Sequence, residues 1–356
     1  MKHSLTIFLL VLLVLVLALC NVWFGSVHIP PRSVWEILTG AQSEVPAAWA
    51  YIIRESRVPQ AVTALLCGAS LSTCGLMLQT ALRNPLAGPS ILGIDAGASL
   101  GVAVVMLLLG GSLTLGDLSV QGYLLVIMAA MAGALLVMML LMTLSHILRN
   151  AVTLLIAGVV IRHLTGSIIQ LPNYRGTEEG VHNYVLWGMG NFSSISSDRL
   201  PLYCTLLLAG LACAILLVKP LDALLLGDRY AHSLGVNGGR VRQMRLLVTG
   251  LLTATTTAFC GPISFLGLAV PHIARMLLRT SLHRVLLPAV RHCGHHQGQL
   301  RQLALHGGQL YRGNGCGRPS QALEPLGHRH RSGRLPHLFR ALLHCRSWCP
   351  LVSASP

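Results

Sequence analysis

Long runs of apolar residues dominate this sequence and decide what kind of fold it can adopt. A helix needs about 20 apolar residues to cross the hydrocarbon core of a bilayer. The runs of about that length are 5–25, 59–82, 91–110, 120–145, 150–171, 200–218 and 244–262. Only 10% of the 356 residues are charged, against about 25% in soluble domains. The sequence therefore predicts an all-α fold, a polytopic bundle of transmembrane helices.

Three further features refine the set of predicted spans. The shorter apolar piece 264–279 contains Pro271, so a partial or broken helix is predicted there. An eighth span begins at about Arg284 and then stops. The first run could be the apolar core of a signal peptide. A retained span is preferred, because the run continues to about Phe24 without a small-x-small cleavage site.

The distribution of Lys and Arg predicts the orientation in the membrane. If the N-terminus lies inside, the cytoplasmic loops carry more Lys and Arg than the outer loops, and four Arg cluster within 229–245. Basic residues are enriched in cytoplasmic loops of membrane proteins. The N-terminus and the loop 219–243 are therefore predicted to be cytoplasmic.

The residues offer no set of groups for catalysis. The sequence has no G-x-x-x-x-G-K-[ST] phosphate-binding loop and no coherent group of acid, base and nucleophile. Its ten Cys form neither a disulfide framework nor a C-x-x-C metal pair with suitable partners. The chain is not expected to be an enzyme, and no metal or cofactor is predicted. If it transports with ATP, the ATPase is another polypeptide.

Short strings in a fixed order provide the most specific signal. One of them, around Pro85 and Pro89, ends a span in a stiff turn. The strings, in order, are Arg57-Val58-Pro59, Gly68-Ala69-Ser70-Leu71, Gly75-Leu76-Met77-Leu78-Gln79, Arg83-Asn84-Pro85-Leu86-Ala87, Leu92-Gly93-Ile94, Gly97-Ala98, Leu155-Ile156-Ala157-Gly158, Trp187-Gly188-Met189-Gly190, Leu226-Gly227-Asp228, Leu234-Gly235-Val236, Gly261-Pro262-Ile263-Ser264-Phe265-Leu266-Gly267-Leu268 and Pro271-His272-Ile273-Ala274-Arg275. Together they resemble the FecCD-type permeases of binding-protein-dependent ABC importers over about residues 50–289.

This resemblance implies a fold of about ten spans in a bacterial inner membrane. It also implies partners: a second permease subunit, identical or paralogous, two cytoplasmic ABC ATPase subunits, and a periplasmic or lipoprotein substrate-binding protein. The implied cargo is an iron–siderophore complex, haem or cobalamin. No nucleic-acid partner is expected, although the formal net charge is +15, because about half of the basic excess lies after residue 290.

The resemblance assigns roles to two surfaces. Coupling to the ATPase falls to the loop 221–242, which the residues predict to form two short helices broken at Gly235. The coupling residues are Gly227, Asp228, Ala231, Leu234, Gly235 and Val236. A basic loop that only sets topology is the alternative. Arg54 and Arg57, at the outer start of span two, are assigned to docking with acidic residues of the binding protein. The alternative is an ordinary interfacial role or pairing with Glu55.

A third group of residues is assigned to the pathway or to packing. Its members are Gln79, Asn84, Pro85, Gly93, Gly97, Arg162, Pro271 and His272. Ionisable groups inside a membrane are rare and usually functional. Arg162 and His163, in span five with Thr165, Ser167 and Gln170, either line the pathway, pair with Asp95, or lie near a boundary. His272 is expected to be structural rather than a metal ligand.

The sequence departs from the family pattern at residue 290. The prediction is a permease domain at 1–289 and an atypical, disordered tail at 290–356. From Val290 onward nine Arg meet one acid, Glu324, and eight of the sixteen His occur there. A frameshift near codon 290, natural or from sequencing, explains this composition. The competing idea is a metal-binding tail that uses His292, Cys293, His295 and His296. With a frameshift, the chain as written is expected to assemble poorly or to be inactive.

Two other classes of function remain open. An ion-coupled secondary transporter needs coupling groups at mid-membrane and usually two related halves. Asp95, Arg162 and His163 give it limited support. A membrane scaffold without transport activity would not depend on a neighbouring ATPase gene.

Overall fold

The fold is helical, as the apolar runs predicted. The computed structural model describes residues 2–302, except 26, 41–44, 83, 111, 116–117, 149, 226–227, 279–285, 292, 296–297 and 300–301. The helices are α1 (Lys2–Trp23), α2 (Pro31–Thr39), α3 (Ala47–Tyr51), α4 (Val58–Ala81), α5 (Ile94–Ala103), α6 (Tyr123–Ile147), α7 (Ala151–Arg175), α8 (Glu178–Gly188), α9 (Leu200–Leu216), α10 (Val218–Leu225), α11 (Asp228–Ser233), α12 (Gly238–Cys260) and α13 (Leu266–Leu278). Short π-helical segments, Ile52–Arg57 and Val104–Leu108, precede α4 and follow α5.

One small element is not helical. Strands β1 (Ser112–Leu115) and β2 (Leu118–Gln121) pair antiparallel, with Ser112 opposite Gln121. The predicted span at 120–145 therefore begins a few residues later, at Tyr123. The hairpin and α8 both follow helices that start on the side predicted to be cytoplasmic, so they belong to the predicted outer side.

A helix lies within each predicted span, but the helices differ in length and in apolar character. Among the described residues, three stretches are long and apolar enough to cross by themselves: Ala47–Ala81, Tyr123–Ile147 and Val152–Arg175. Helices α9 and α10 pass the same test as a pair bent by 42°. Helix α12 is 23 residues long but rich in Thr, whose hydroxyls bond to carbonyls of its own preceding turn.

Helix α4 lies at the centre of the bundle, and 89% of its apolar window is buried. Small residues let its neighbours come close, because a Cβ added at Gly75 would collide with the carbonyl oxygen of Gly267 on α13. Glycines also allow α5 and α6 to approach closely, where Gly97 faces Gly133. Close backbone approach is how membrane helices gain van der Waals contact without a hydrophobic drive.

The predicted boundary at residue 290 falls within a terminal stretch, residues 286–302, whose described parts are helical. Val290 is completely buried, and so is Gln299. A Cβ added at Gly294 would collide with the carbonyl oxygen of Gly68, so the stretch packs directly on α4. Residues 303–356, where most of the predicted disordered tail falls, lie outside the described residues.

Candidate transport pathway and coupling surface

Helix α7 is the least covered of the long apolar helices. Only 22% of its apolar window is buried. His163, Ser167 and Gln170 are exposed and follow the i, i+4, i+7 spacing that places residues on one face of a helix. A polar stripe that faces lipid is unfavourable. This face is therefore suited to an aqueous path or to a second subunit.

Arg162 is exposed, and its guanidinium reaches the segment before α5. Its Nη1 atom donates to the carbonyl oxygen of Ser90 at 3.1 Å. Asp95 is 7% exposed, its carboxylate accepts a hydrogen bond from the Ala96 amide at 2.9 Å, and it interacts electrostatically with Arg162. The direct contact of Arg162 is thus with the Ser90 backbone rather than an ion pair with Asp95.

The segment between α4 and α5 is an irregular turn that enters the bundle. The Asn84 side chain accepts a hydrogen bond from the Leu86 amide at 2.9 Å, which stabilises the turn around the exposed Pro85. A short 3-10 helix, Pro89–Leu92, follows. Gly93 then adopts a φ of 76°, a left-handed conformation that favours glycine.

Gln79 connects α4 to α13. It is 2% exposed. Its Nε2 atom donates to the Leu268 carbonyl oxygen at 3.1 Å, and its Oε1 atom accepts from Arg275 at 2.7 Å. Pro271 is buried inside α13, whereas His272 is exposed. Through these two bonds Gln79 joins α4 to α13.

No group of three metal-ligating side chains occurs in the part of the chain that the structure describes. Of the residues in the alternative metal-binding tail, His292 and His296 lie outside that part. Cys293 is 8% exposed, and the His295 ring contacts the Leu65 carbonyl oxygen.

The predicted coupling loop contains two short helices, α10 and α11, but Gly235 does not separate them. They are divided at residues 226–227, and Gly235 lies in the turn between α11 and α12. Gly227 and the side chain of Asp228 lie outside the described residues. At the end of α11 the Gly235 and Val236 amides donate to the carbonyl oxygens of His232 and Ala231. Gly235 has a φ of 77°, as expected where a helix ends in a left-handed residue.

This glycine turn brings an apolar side chain to the surface. Ala231 is 1% exposed and anchors α11 to the bundle, whereas Leu234 is 59% exposed. Val236 packs against the main apolar core. The side chain of Asn237 then begins α12 by accepting from the Arg240 amide at 3.1 Å. Leu234 is thus an exposed apolar side chain beside the glycine turn, within the loop predicted to contact the ATPase.

The two predicted docking arginines lie in different environments. Arg54 is exposed, with one bond of 3.5 Å to the Ile37 carbonyl oxygen. Arg57 is 3% exposed. Its Nη1 atom donates to the carbonyl oxygens of Val22 and Trp23, both at 2.9 Å. In this conformation Arg57 caps the end of α1, and its guanidinium is not accessible to a partner.

Some residues that matter here carried no prediction. Ser90 is the main one, and its position in a Pro- and Gly-rich break between two apolar runs is the signal that could have identified it. Arg242 is another. It donates to the carbonyl oxygens of Ser145 and Leu148 at the end of α6, the latter at 3.3 Å. The sequence placed Arg242 only in a basic loop.

A cavity of about 450 Å³ opens on the predicted outer side. Its lining joins the aromatic rings of Tyr123 and Trp187 to the Glu179 carboxylate and the Asn183 amide. Trp187 belongs to one of the strings that indicated the family. The cavity lies between α6, α8 and the loop before α9.

Comparisons with known proteins agree with this arrangement. The model of the FecCD transport family matches residues 11–296. The hemin transport system permease protein HmuU of Yersinia pestis is 32% identical, with 79% of this chain and 80% of HmuU covered. The Fe(3+) dicitrate transport system permease protein FecD of Escherichia coli is 34% identical, with 81% and 85% covered.

A cobalamin permease and a solved structure extend the comparison. The vitamin B12 import system permease protein BtuC of Klebsiella pneumoniae is 33% identical, with 81% of each chain covered. A metal-chelate type ABC transporter solved in an inward-facing conformation has a TM-score of 0.71 and 24% identity, with 85% of this chain and 91% of that chain covered. This structural likeness supports the fold.

Proposed function

The chain belongs to the FecCD transport family, and on that premise we propose that it is the permease subunit of an ATP-driven importer for an iron chelate, haem or cobalamin. The named relatives transport haemin, ferric dicitrate and vitamin B12, so the cargo is a metal chelate of that size. ATP hydrolysis belongs to a separate subunit. The protein lies in the inner membrane, with its N-terminus in the cytoplasm.

The observation that carries this proposal is the polar stripe on α7. His163, Ser167 and Gln170 are exposed on a helix that the rest of the chain leaves mostly uncovered. If a second permease subunit places the same face across a shared axis, both stripes line one path and neither meets lipid. A symmetric pair of identical or paralogous subunits satisfies this requirement.

The proposed partners contact opposite sides of the membrane. On the inner side, each of two ATPase subunits binds α11 and the turn at Leu234 and Gly235, so that ATP-driven closure moves this element and tilts the spans. On the outer side, Arg54 donates to an acidic side chain of the substrate-binding protein, because a guanidinium can hold a carboxylate with two parallel hydrogen bonds. Arg57 supports that surface by capping α1.

For the tail we retain the frameshift proposal. Its support is the polarity of the terminal stretch, which places Gln299 and Gln302 inside the bundle and includes Arg291 and several His. Polar side chains of this kind are unfavourable in a membrane helix. The stretch occupies the small-residue face of α4 at Gly68, which suits a further apolar span of an in-frame product. Resequencing tests this directly, because the proposal requires another frame after Pro288 that encodes apolar helices.

Uptake experiments test the transport proposal. Cells without their own importers receive the neighbouring ATPase and binding-protein genes, with this gene either as written or with its frame restored. The probes are labelled ferric dicitrate, haemin and cyanocobalamin. We expect the restored gene to support uptake of one probe that vanadate abolishes and an uncoupler does not. Uptake abolished by the uncoupler but not by vanadate would instead support the ion-coupled alternative, for which Asp95, Arg162 and His163 are the candidate groups.

A further inference from the structure

The segment Gly88–Gly93, which includes a short 3-10 helix, packs closely against α7. A Cβ added at Gly158 would lie 2.9 Å from the Leu92 Cα atom, and one added at Gly93 would lie 3.1 Å from the Gly158 carbonyl oxygen. Gly158 and Arg162 are seven and eleven residues from the start of α7 at Ala151, which corresponds to about 10–16 Å along the helix. The segment therefore contacts α7 well beyond its first turn.

The backbone of this segment is bonded within the protein. The Ser90 carbonyl oxygen accepts from the Gly93 amide at 3.4 Å and accepts a second hydrogen bond, from Arg162, at 3.1 Å. The Asp95 carboxylate, in the first turn of α5, interacts electrostatically with Arg162. Arg162 thus joins the pathway helix to the segment that leads into the next span.

This link adds a polar contact to the packing of α7. The helix also packs along α5 and α6, and its close approach to Gly88–Gly93 is made by glycines, which offer no side chain to interlock. The segment also touches α13, because a Cβ added at Gly267 would lie 2.7 Å from Pro89. The segment is therefore in contact with both α7 and α13, and the hydrogen bond between Arg162 and Ser90 fixes it to α7.

We propose that Arg162 is a positioning residue for transport, which holds the pathway helix α7 to the segment Gly88–Gly93 through the Ser90 carbonyl oxygen, with Asp95 as its counter-charge. The two parts then move as one body when the inner side opens or closes. Arg162 does not contact the cargo. This inference rests on the proposed function for its purpose, but the link itself is a property of the single chain.

Hydrogen–deuterium exchange on the full chain in lipid nanodiscs tests the link without any cargo. Arg162→Gln removes the charged donor, so we expect about tenfold faster exchange in peptides that cover 88–94 and 158–165, the order of effect for a lost charge-assisted hydrogen bond. Asp95→Asn should affect the same two segments. Exchange in the double variant should be no faster than in Arg162→Gln alone, because both substitutions act on the same link. Arg162→Lys should keep exchange close to that of the unchanged chain.

The matched control is Arg175→Gln, the same change on an exposed residue of the same helix, which should alter neither segment. Unchanged exchange at 88–94 in Arg162→Gln, or effects of the two single variants that add independently, would overturn the proposal.

In the frame-restored importer, Arg162→Gln should lower the maximal uptake rate at least tenfold with KM unchanged, and Arg162→Lys should recover most of that rate. A raised KM with an unchanged maximal rate would show cargo contact instead. If no variant transports at all, the exchange result still decides whether Arg162 holds the segment 88–93. Failure of the transport proposal and failure of the link can therefore be told apart.

Discussion

Gly97 offers the sharpest test of how the bundle is packed. A Cβ added there would lie 2.6 Å from the carbonyl oxygen of Gly133 on α6, whereas carbon and oxygen in close contact are normally about 3.3–3.6 Å apart. Gly97→Ala therefore pushes α5 and α6 apart by roughly 0.7–1 Å. A gap of that size removes about a quarter to a half of the dispersion energy of each contact across it. Overpacking of this kind costs about 1–3 kcal/mol.

Gly166 on α7 is the matched control, because an added Cβ would meet nothing within 4 Å. Alanine is favoured over glycine inside a helix by about 1 kcal/mol at either position, so the difference between the two variants isolates the packing cost. Unfolding of the full chain in mixed micelles, measured against increasing SDS, should show Gly97→Ala less stable than Gly166→Ala by about 1–3 kcal/mol. Equal stabilities would refute the close approach of α5 and α6.

Three further outcomes follow from the placement of single residues. Arg57→Gln should lower the free energy of unfolding of the purified chain by about 3 kcal/mol. Arg54→Gln should leave that free energy unchanged but weaken binding of the substrate-binding protein in a pull-down. Leu234→Asp should reduce co-purification of the ATPase with no change in stability, and Gly235→Val should reduce both, because valine is strained at positive φ. Gln79→Leu should destabilise the chain by about 2 kcal/mol through loss of two bonds to α13, and an unchanged melting temperature would contradict that role.

Much of the fold could be predicted because a membrane limits the options. Only helices satisfy their own backbone within lipid, so an apolar run of about 20 residues has few other structures available. This is why α4, α6 and α7 lie where the runs predicted. The hairpin after α5 was missed, because its apolar residues are the same types that extend a span.

The site was only partly predictable from the sequence. Gly235 was predicted to separate two short helices in the coupling loop; it lies instead after the second of them, in a left-handed conformation that a leucine or alanine would adopt only at a cost. The roles of Arg54 and Arg57 could not be separated from the sequence. The two lie three residues apart, and only the position of the end of α1 decides that Arg57 is buried. Ser90 was not predictable, since its role depends on a long-range contact with α7.

Vanadate-sensitive uptake measured side by side for the gene as written and the frame-restored gene tests the central claim most directly. The claim is that residues 1–289 form half of a channel that a separate ATPase drives and that further apolar spans complete. The account predicts ATP-dependent accumulation of one labelled chelate with the restored gene and none with the gene as written. Equal uptake by both, or uptake that persists without the ATPase gene, would contradict it.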